Sequence, residues 1–152
     1  MNKKFAFPFL LLFTLVLVAC GGQENTDTVP AVIDLSTETL RVPVEGVGSY
    51  TDVSADGLAA RLENKDFPLI NVHIPYAGEI EGTDEFIPFD QIGQNLDKLP
   101  ADKDARVVIY CRSGGMSGVS ARELVELGYT DVWNLDGGMI AWEASGRSLS
   151  HK

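Results

Sequence analysis

Cysteine is scarce in this chain. Cys20 and Cys111 are the only two among 152 residues, too few and too far apart for the disulfide framework that staples small exported domains. Basic residues are also in short supply: 12 Lys and Arg face 22 Asp and Glu, for a formal charge of −10. No local basic patch offsets that charge, which excludes a nucleic-acid partner on electrostatic grounds. No group of His and Cys has metal-ligand spacing, so neither a metal nor another cofactor is expected. Internal repeats and low-complexity tracts are absent. No apolar run reaches the ~20 residues of a membrane-spanning helix. What is present is ordinary globular composition, 45% hydrophobic and 22% charged, with length for one domain of about 100–150 residues.

The N-terminus reads as an address. Lys3 and Lys4 precede an apolar run, Phe5–Val18, interrupted only by Pro8 and Thr14. Its length suits the hydrophobic core of a signal peptide. The run ends in Leu17-Val18-Ala19-Cys20-Gly21, which resembles a bacterial lipobox, where cleavage precedes a Cys whose sulfur is then acylated. That resemblance implies that residues 1–19 are removed and that Cys20 carries the lipid. The mature protein then sits in the bacterial cell envelope, lipid-anchored and facing outside the cytoplasm. Two or three acyl chains bury enough methylenes, at about 0.8 kcal/mol each, for stable membrane attachment. Loss of Lys3 and Lys4 takes the formal charge to −12. The competing reading is an uncleaved anchor helix with an incidental Cys.

Residues 20–48 are assigned as lipidated Cys and tether, because Gly21–Thr28 is polar and aperiodic. Within that stretch Leu40–Val44 has the character of an edge strand, since Pro43 argues against a central one. From residue 49 to 152 strands and helices alternate. Strands are expected at Tyr50–Val53, Pro68–Val72, Arg106–Tyr110 and Asp131–Leu135, with a further short apolar stretch at Phe86–Phe89. Helices are expected after Ser54 as N-cap, from Asp90 to about Leu99, after Ser117 up to Gly128, and at Met139–Ala144. The alternation implies one α/β domain, a mostly parallel central sheet with helices on both faces.

Ile109-Tyr110-Cys111-Arg112-Ser113-Gly114-Gly115-Met116-Ser117-Gly118 is the most informative segment. Cys111 follows the most apolar strand and so lies at its carboxyl end, where open α/β sheets bind ligands. The small residues after it let the backbone curl with N–H groups pointing inward, ahead of a helix N-terminus. Such a cradle binds anions and stabilises a thiolate, and a thiolate beside an anion cradle is a nucleophilic device. A small buried Cys before an unremarkable Gly-rich turn is the bland alternative. The loop lacks the spacing and Lys of a P-loop.

Taken together, Cys111-Arg112-Ser113-Gly114, the later Leu135-Asp136-Gly137-Gly138-Met139-Ile140-Ala141-Trp142 and the earlier Leu69-Ile70-Asn71-Val72-His73 resemble the rhodanese family. They match, in order, its C-R-S-G-x-R-S loop, its carboxyl-terminal Gly-Gly…Ala-Trp signature and its Asp-Val-Arg strand end. The resemblance spans Ser49–Arg147 and implies sulfurtransferase chemistry. Cys111 would carry sulfane sulfur as a persulfide, the N–H groups of Arg112, Ser113, Gly114, Gly115, Met116 and Ser117 would cradle the substrate, and His73 would reach the site or cap a local turn. The implied partners are a small sulfane-sulfur donor or a persulfidated protein, together with the membrane through Cys20. No oligomeric state follows from the sequence.

Three departures accompany the match. Met116 stands where the loop usually has a second Arg, Asn71 replaces Asp, and His73 replaces Arg. They count against thiosulfate as preferred donor and leave open a non-catalytic binding or redox-sensing module. A phosphatase on a related loop needs Arg six positions after Cys, where this chain has Ser117. Trp133 and Trp142 are expected in the core, and the acidic stretch Glu79–Glu85 on a solvated loop or at the rim of the pocket.

Overall fold

The computed structural model describes residues 33–34 and 39–151. Cys20, the signal segment 1–19 and the tether Gly21–Thr28 lie outside them.

Seven strands form one sheet. In chain order they are β1 (Ile33–Asp34), β2 (Thr39–Val44), β3 (Gly48–Val53), β4 (Leu69–Asn71), β5 (Glu85–Phe86), β6 (Val107–Tyr110) and β7 (Val132–Leu135). The spatial order is β1-β2-β3-β7-β6-β4-β5. The β1–β2 and β2–β3 pairs are antiparallel and the other four are parallel, which confirms the mostly parallel sheet.

β2, within residues 20–48, pairs with β3 along its whole length from Thr39↔Val53 to Val44↔Gly48. It is not the outermost strand. β1 pairs only with Thr39 and Leu40, so among the described residues no strand pairs with the far side of β2 at Pro43, the edge-like position a Pro tolerates.

Three α-helices, α1 (Ala55–Leu62), α2 (Gly115–Glu126) and α3 (Gly138–Ala144), cover both faces as expected. Strand residues alternate between them. Ile70, Val107, Ile109 and Cys111 pack with Ala121, Leu124 and Val125 of α2. Leu69, Val108 and Tyr110 pack with Leu58 of α1 and with Met139 and Trp142 of α3. All four β6 residues are fully buried, the reason that strand is a continuous apolar run. Trp133 and Trp142 are in the core.

Ser54 caps α1, its Oγ accepting from the Gly57 N–H at 2.9 Å. The helix expected from Asp90 is instead two 3-10 turns, Phe89–Gln94 and Leu96–Lys98, with no side-chain cap. Gly93 explains the difference: a Cβ there would run into the Glu123 carboxylate of α2 and lie 3.5 Å from Leu127 just past its end, and a Gly in mid-segment weakens α-helix. Helix α2 begins at Gly115, so Ser117 is inside its first turn rather than before it.

Candidate active site

The cysteine loop is held from three directions. Cys111 directly follows β6, the central parallel strand next to β4 and β7. Gly114 then takes φ +88°, a left-handed conformation open to Gly at little cost, and turns the chain into α2. On the far side the N-terminus of α3 grips the loop. Met139 N–H donates to the Cys111 carbonyl at 2.9 Å and Ile140 N–H to the Arg112 carbonyl at 3.0 Å.

Gly138, at φ +58°, is required for that grip. A Cβ there would run into the Cys111 carbonyl oxygen and would lie 2.8 Å from the Arg112 carbonyl carbon. This clamp was not anticipated from the sequence, although the Gly137-Gly138 pair was its visible trace.

Cys111 Sγ accepts the Gly114 N–H at 3.1 Å and the Ser117 hydroxyl at 3.4 Å. The residue is 2% exposed. Burial is the largest single influence on the thiol and pushes its pKa up. The Ser117 hydroxyl and the N–H groups of Ser117, Ser113 and Gly114 together more than reverse this, so the pKa lies below the ordinary thiol value. Of the cradle expected from Arg112 to Ser117, the N–H groups of Ser113, Gly114 and Ser117 therefore bear on the sulfur. Arg112, Ser113 and Gly115 are exposed at the mouth. Met116 is half-buried and packs against the core on the α2 side.

His73 follows β4 and is 9% exposed. Its ring does not cap the turn. That task falls to Asn71, whose Oδ1 accepts the His73 N–H at 3.0 Å while its Nδ2 donates to the Gly78 carbonyl at 3.0 Å. A neutral amide does both at once, where a carboxylate only accepts. The His73 Nδ1 is buried without a hydrogen-bond partner. Burial, then the positive charge of Arg112, lower the imidazole pKa, so the ring is neutral near pH 7.

The acidic stretch is less solvated than expected. Glu79 is buried, and Asp84 accepts the Leu69 N–H at 2.7 Å and pairs with Lys65 at 2.6 Å. With Tyr76, Thr83, Glu85 and Phe86 these residues line a cleft of about 390 Å³ that contains none of the Cys111 loop. No group of His, Cys, Asp and Glu among the described residues is placed to hold a metal ion.

This geometry can hold a nucleophilic thiolate and the negative charge that develops beside it. The family model for the rhodanese-like domain matches residues 54–145, more than half of the chain. A sulfurtransferase of Allochromatium vinosum is 34% identical over 99 residues, which cover 62% of this chain and 90% of that protein. The thiosulfate sulfurtransferase GlpE of Shewanella oneidensis is 30% identical over 101 residues, covering 63% and 95%. Among solved structures, a rhodanese-like domain protein from Staphylococcus aureus superimposes with a TM-score of 0.54 at 28% identity, over 66% of this chain and 98% of that one.

Proposed function

The chain belongs to the rhodanese-like domain family, and from that premise we propose that it is a lipid-anchored sulfurtransferase of the bacterial cell envelope, carrying sulfane sulfur as a persulfide on Cys111. The reading of Cys20 as lipid acceptor rests on the sequence around it. The catalytic reading rests on one observation above the others: a 2%-exposed thiol whose acidity is raised in spite of burial, by donors from Ser113, Gly114 and Ser117.

In the first half-reaction the Cys111 thiolate attacks the outer sulfur of the donor. A Cys111–S bond forms and the donor's S–S bond breaks, its electron pair leaving with the remainder of the donor (sulfite, for thiosulfate). In the second, an acceptor thiolate attacks the terminal persulfide sulfur and the Cys111 thiolate departs with the electron pair. The donors around Sγ hold the negative charge at both ends of the cycle. Arg112 and His73 bind substrate at the mouth, and the donor is a small sulfane-sulfur compound or a persulfidated protein.

The test is mass spectrometry of the full-length protein after incubation with thiosulfate or inorganic polysulfide. One added sulfur, about 32 Da, is expected at Cys111 and is absent from Cys111→Ser, since oxygen forms no stable persulfide. No adduct with any sulfane donor overturns the reading. The low exposure of Cys111 favours a second one, a non-catalytic binding or redox-sensing module. Slow alkylation of Cys111 at pH 6.5 distinguishes that module from the enzyme.

A further inference from the structure

Strand β5 is the last strand of the sheet, and among the described residues its outer side has no neighbour. The Ile87 N–H donates inward to the Asn71 carbonyl at 3.0 Å. Successive N–H groups of a strand point to opposite sides, so the N–H and C=O of Phe86 face the open edge. Along that edge lies the cleft of about 390 Å³. Asp84, Glu85 and Phe86 are consecutive, and neighbouring side chains of a strand point to opposite faces. A cleft lined by all three follows the edge of the strand rather than one face of the sheet.

The walls of the cleft specify what fits it. Tyr76 and Phe86 are exposed and meet edge to face, with ring centroids 5.7 Å apart. Glu79, Asp84 and Glu85 supply three carboxylates, and no Lys, Arg or His lines the cleft. Asp84 is committed to Lys65 and to the Leu69 N–H. Glu85 has no ion pair or side-chain hydrogen bond among the described residues. Aromatic rings beside an uncommitted carboxylate attract a cation on an apolar stem, which describes a Lys or Arg side chain. The same carboxylates repel a second copy of this chain, whose formal charge is −10, and so select a basic partner over self-association.

We infer that the open edge of β5 is a docking site for an extended, basic segment of a partner protein. The backbone of that segment adds to the edge at Phe86, and one of its Lys or Arg side chains enters the cleft against Tyr76, Phe86 and Glu85. Phe86, Asn71 and Tyr110 are in register across β5, β4 and β6. The docked segment therefore lies about 10 Å, two strand spacings, from the strand that leads into Cys111. That the docked protein is the sulfur donor or acceptor rests on the sulfur-transfer reading; the docking itself does not.

The experiment titrates isotope-labelled full-length protein with three capped heptapeptides and follows its backbone amide signals. One peptide alternates Val and Lys, the second has Glu in place of Lys, and the third is the Lys peptide with N-methylated Val. The Lys peptide should move the Glu85 and Phe86 signals and bind about tenfold more tightly than the Glu peptide. Glu85→Lys should erase that preference. Glu126→Lys makes the same change in net charge at the exposed far end of α2, and should leave the affinity for the Lys peptide within about twofold of wild type. Phe86→Leu, which removes the ring and keeps an apolar side chain, should weaken the Lys peptide about threefold. N-methylation should cost about fivefold or more, as lost backbone hydrogen bonds require.

Equal affinity for the Lys and Glu peptides, equal losses in Glu85→Lys and Glu126→Lys, undiminished binding of the N-methylated peptide, or shifts confined to residues 111–117 overturn the docking site. If Cys111 takes up no sulfur from any donor, the enzymatic reading fails, and the shifts at Glu85 and Phe86 still decide for or against the docking. Should Phe86→Leu fail to fold, Glu85→Lys and the wild-type titration with the three peptides decide.

Discussion

The Met139 N–H donates to the Cys111 carbonyl at 2.9 Å, so the first turn of α3 holds the residue that follows β6 in place. The bond is possible because Gly138 has no side chain: a Cβ would meet the Cys111 carbonyl oxygen. The Gly-Gly pair and the cysteine loop, separated by the whole of α2 in sequence, are one structural unit.

Gly138→Ala should therefore damage stability and site together. A left-handed Ala costs about 1–2 kcal/mol, and relieving the clash brings the expected loss to about 3 kcal/mol. For a domain of this size the melting temperature should fall by roughly 10 °C. Calorimetry gives the first number and Cys111 alkylation the second effect, a slower reaction. A melting point within about 2 °C of wild type would show that α3 moves away freely and that the clamp is not structural.

Ser117→Ala addresses the thiolate. Removing a donor to Sγ disfavours the charged form, so the Cys111 pKa rises toward its ordinary value. Alkylation at pH 7 should slow by about 3–10-fold, the equivalent of one hydrogen bond. The wild-type shift also enters folding stability. Because the folded pKa is lowered, the stabilisation is fully present above the unfolded value of 9.0 and is lost as pH falls through the folded value. Ser117→Ala should flatten that part of the stability–pH curve; an unchanged curve and rate would remove Ser117 from the site.

Much of this arrangement was written in local sequence signals. Four consecutive apolar residues before Cys111 gave β6, Ser54 gave the start of α1, and two Gly-rich turns marked the ends of β6 and β7. What local signals could not give depends on partners. The 3-10 form of Phe89–Gln94 comes from the close approach of Gly93 to α2. The hairpin at Pro43 reads as an isolated edge strand within a tether until its ladder with β3 is seen. The influence of the Arg112 charge on His73 needs the β4–β6 register, and the division of labour between Asn71 and the His73 ring follows from a hydrogen bond to Gly78.

If Cys20 is the acyl acceptor, as proposed, Cys20→Ala should abolish membrane attachment, since the other thiol, Cys111, lies 91 residues away in sequence. The variant should appear in the soluble fraction and lack the mass of the acyl chains. Recovery of Cys20→Ala in salt-washed membranes would point to an uncleaved apolar helix at Phe5–Val18.

Donor choice should turn on Met116. An Arg at this position in the usual loop adds a cation facing the bound donor, and thiosulfate carries two negative charges. A cation at about 4–5 Å, with an effective dielectric near 20, contributes roughly 3–4 kcal/mol per unit charge before desolvation and screening. About 1–2 kcal/mol should survive, or roughly 5–30-fold in rate. Met116 supplies none of this, and its thioether, half-buried against the α2-side core, suits a softer and less charged donor. Arg in its place can lay its methylenes along the same apolar surface and carry the guanidinium to the mouth, so the substitution should fold. Met116→Arg should then raise kcat/KM for thiosulfate by about 5–30-fold relative to an organic persulfide. The gain should shrink at high salt, as a partly exposed charge requires. A ratio that stays put, or a wild type that already prefers thiosulfate to the persulfide, would mean that the oxyanion is held wholly by Arg112, His73 and the loop N–H groups, and that position 116 has no part in choosing the donor.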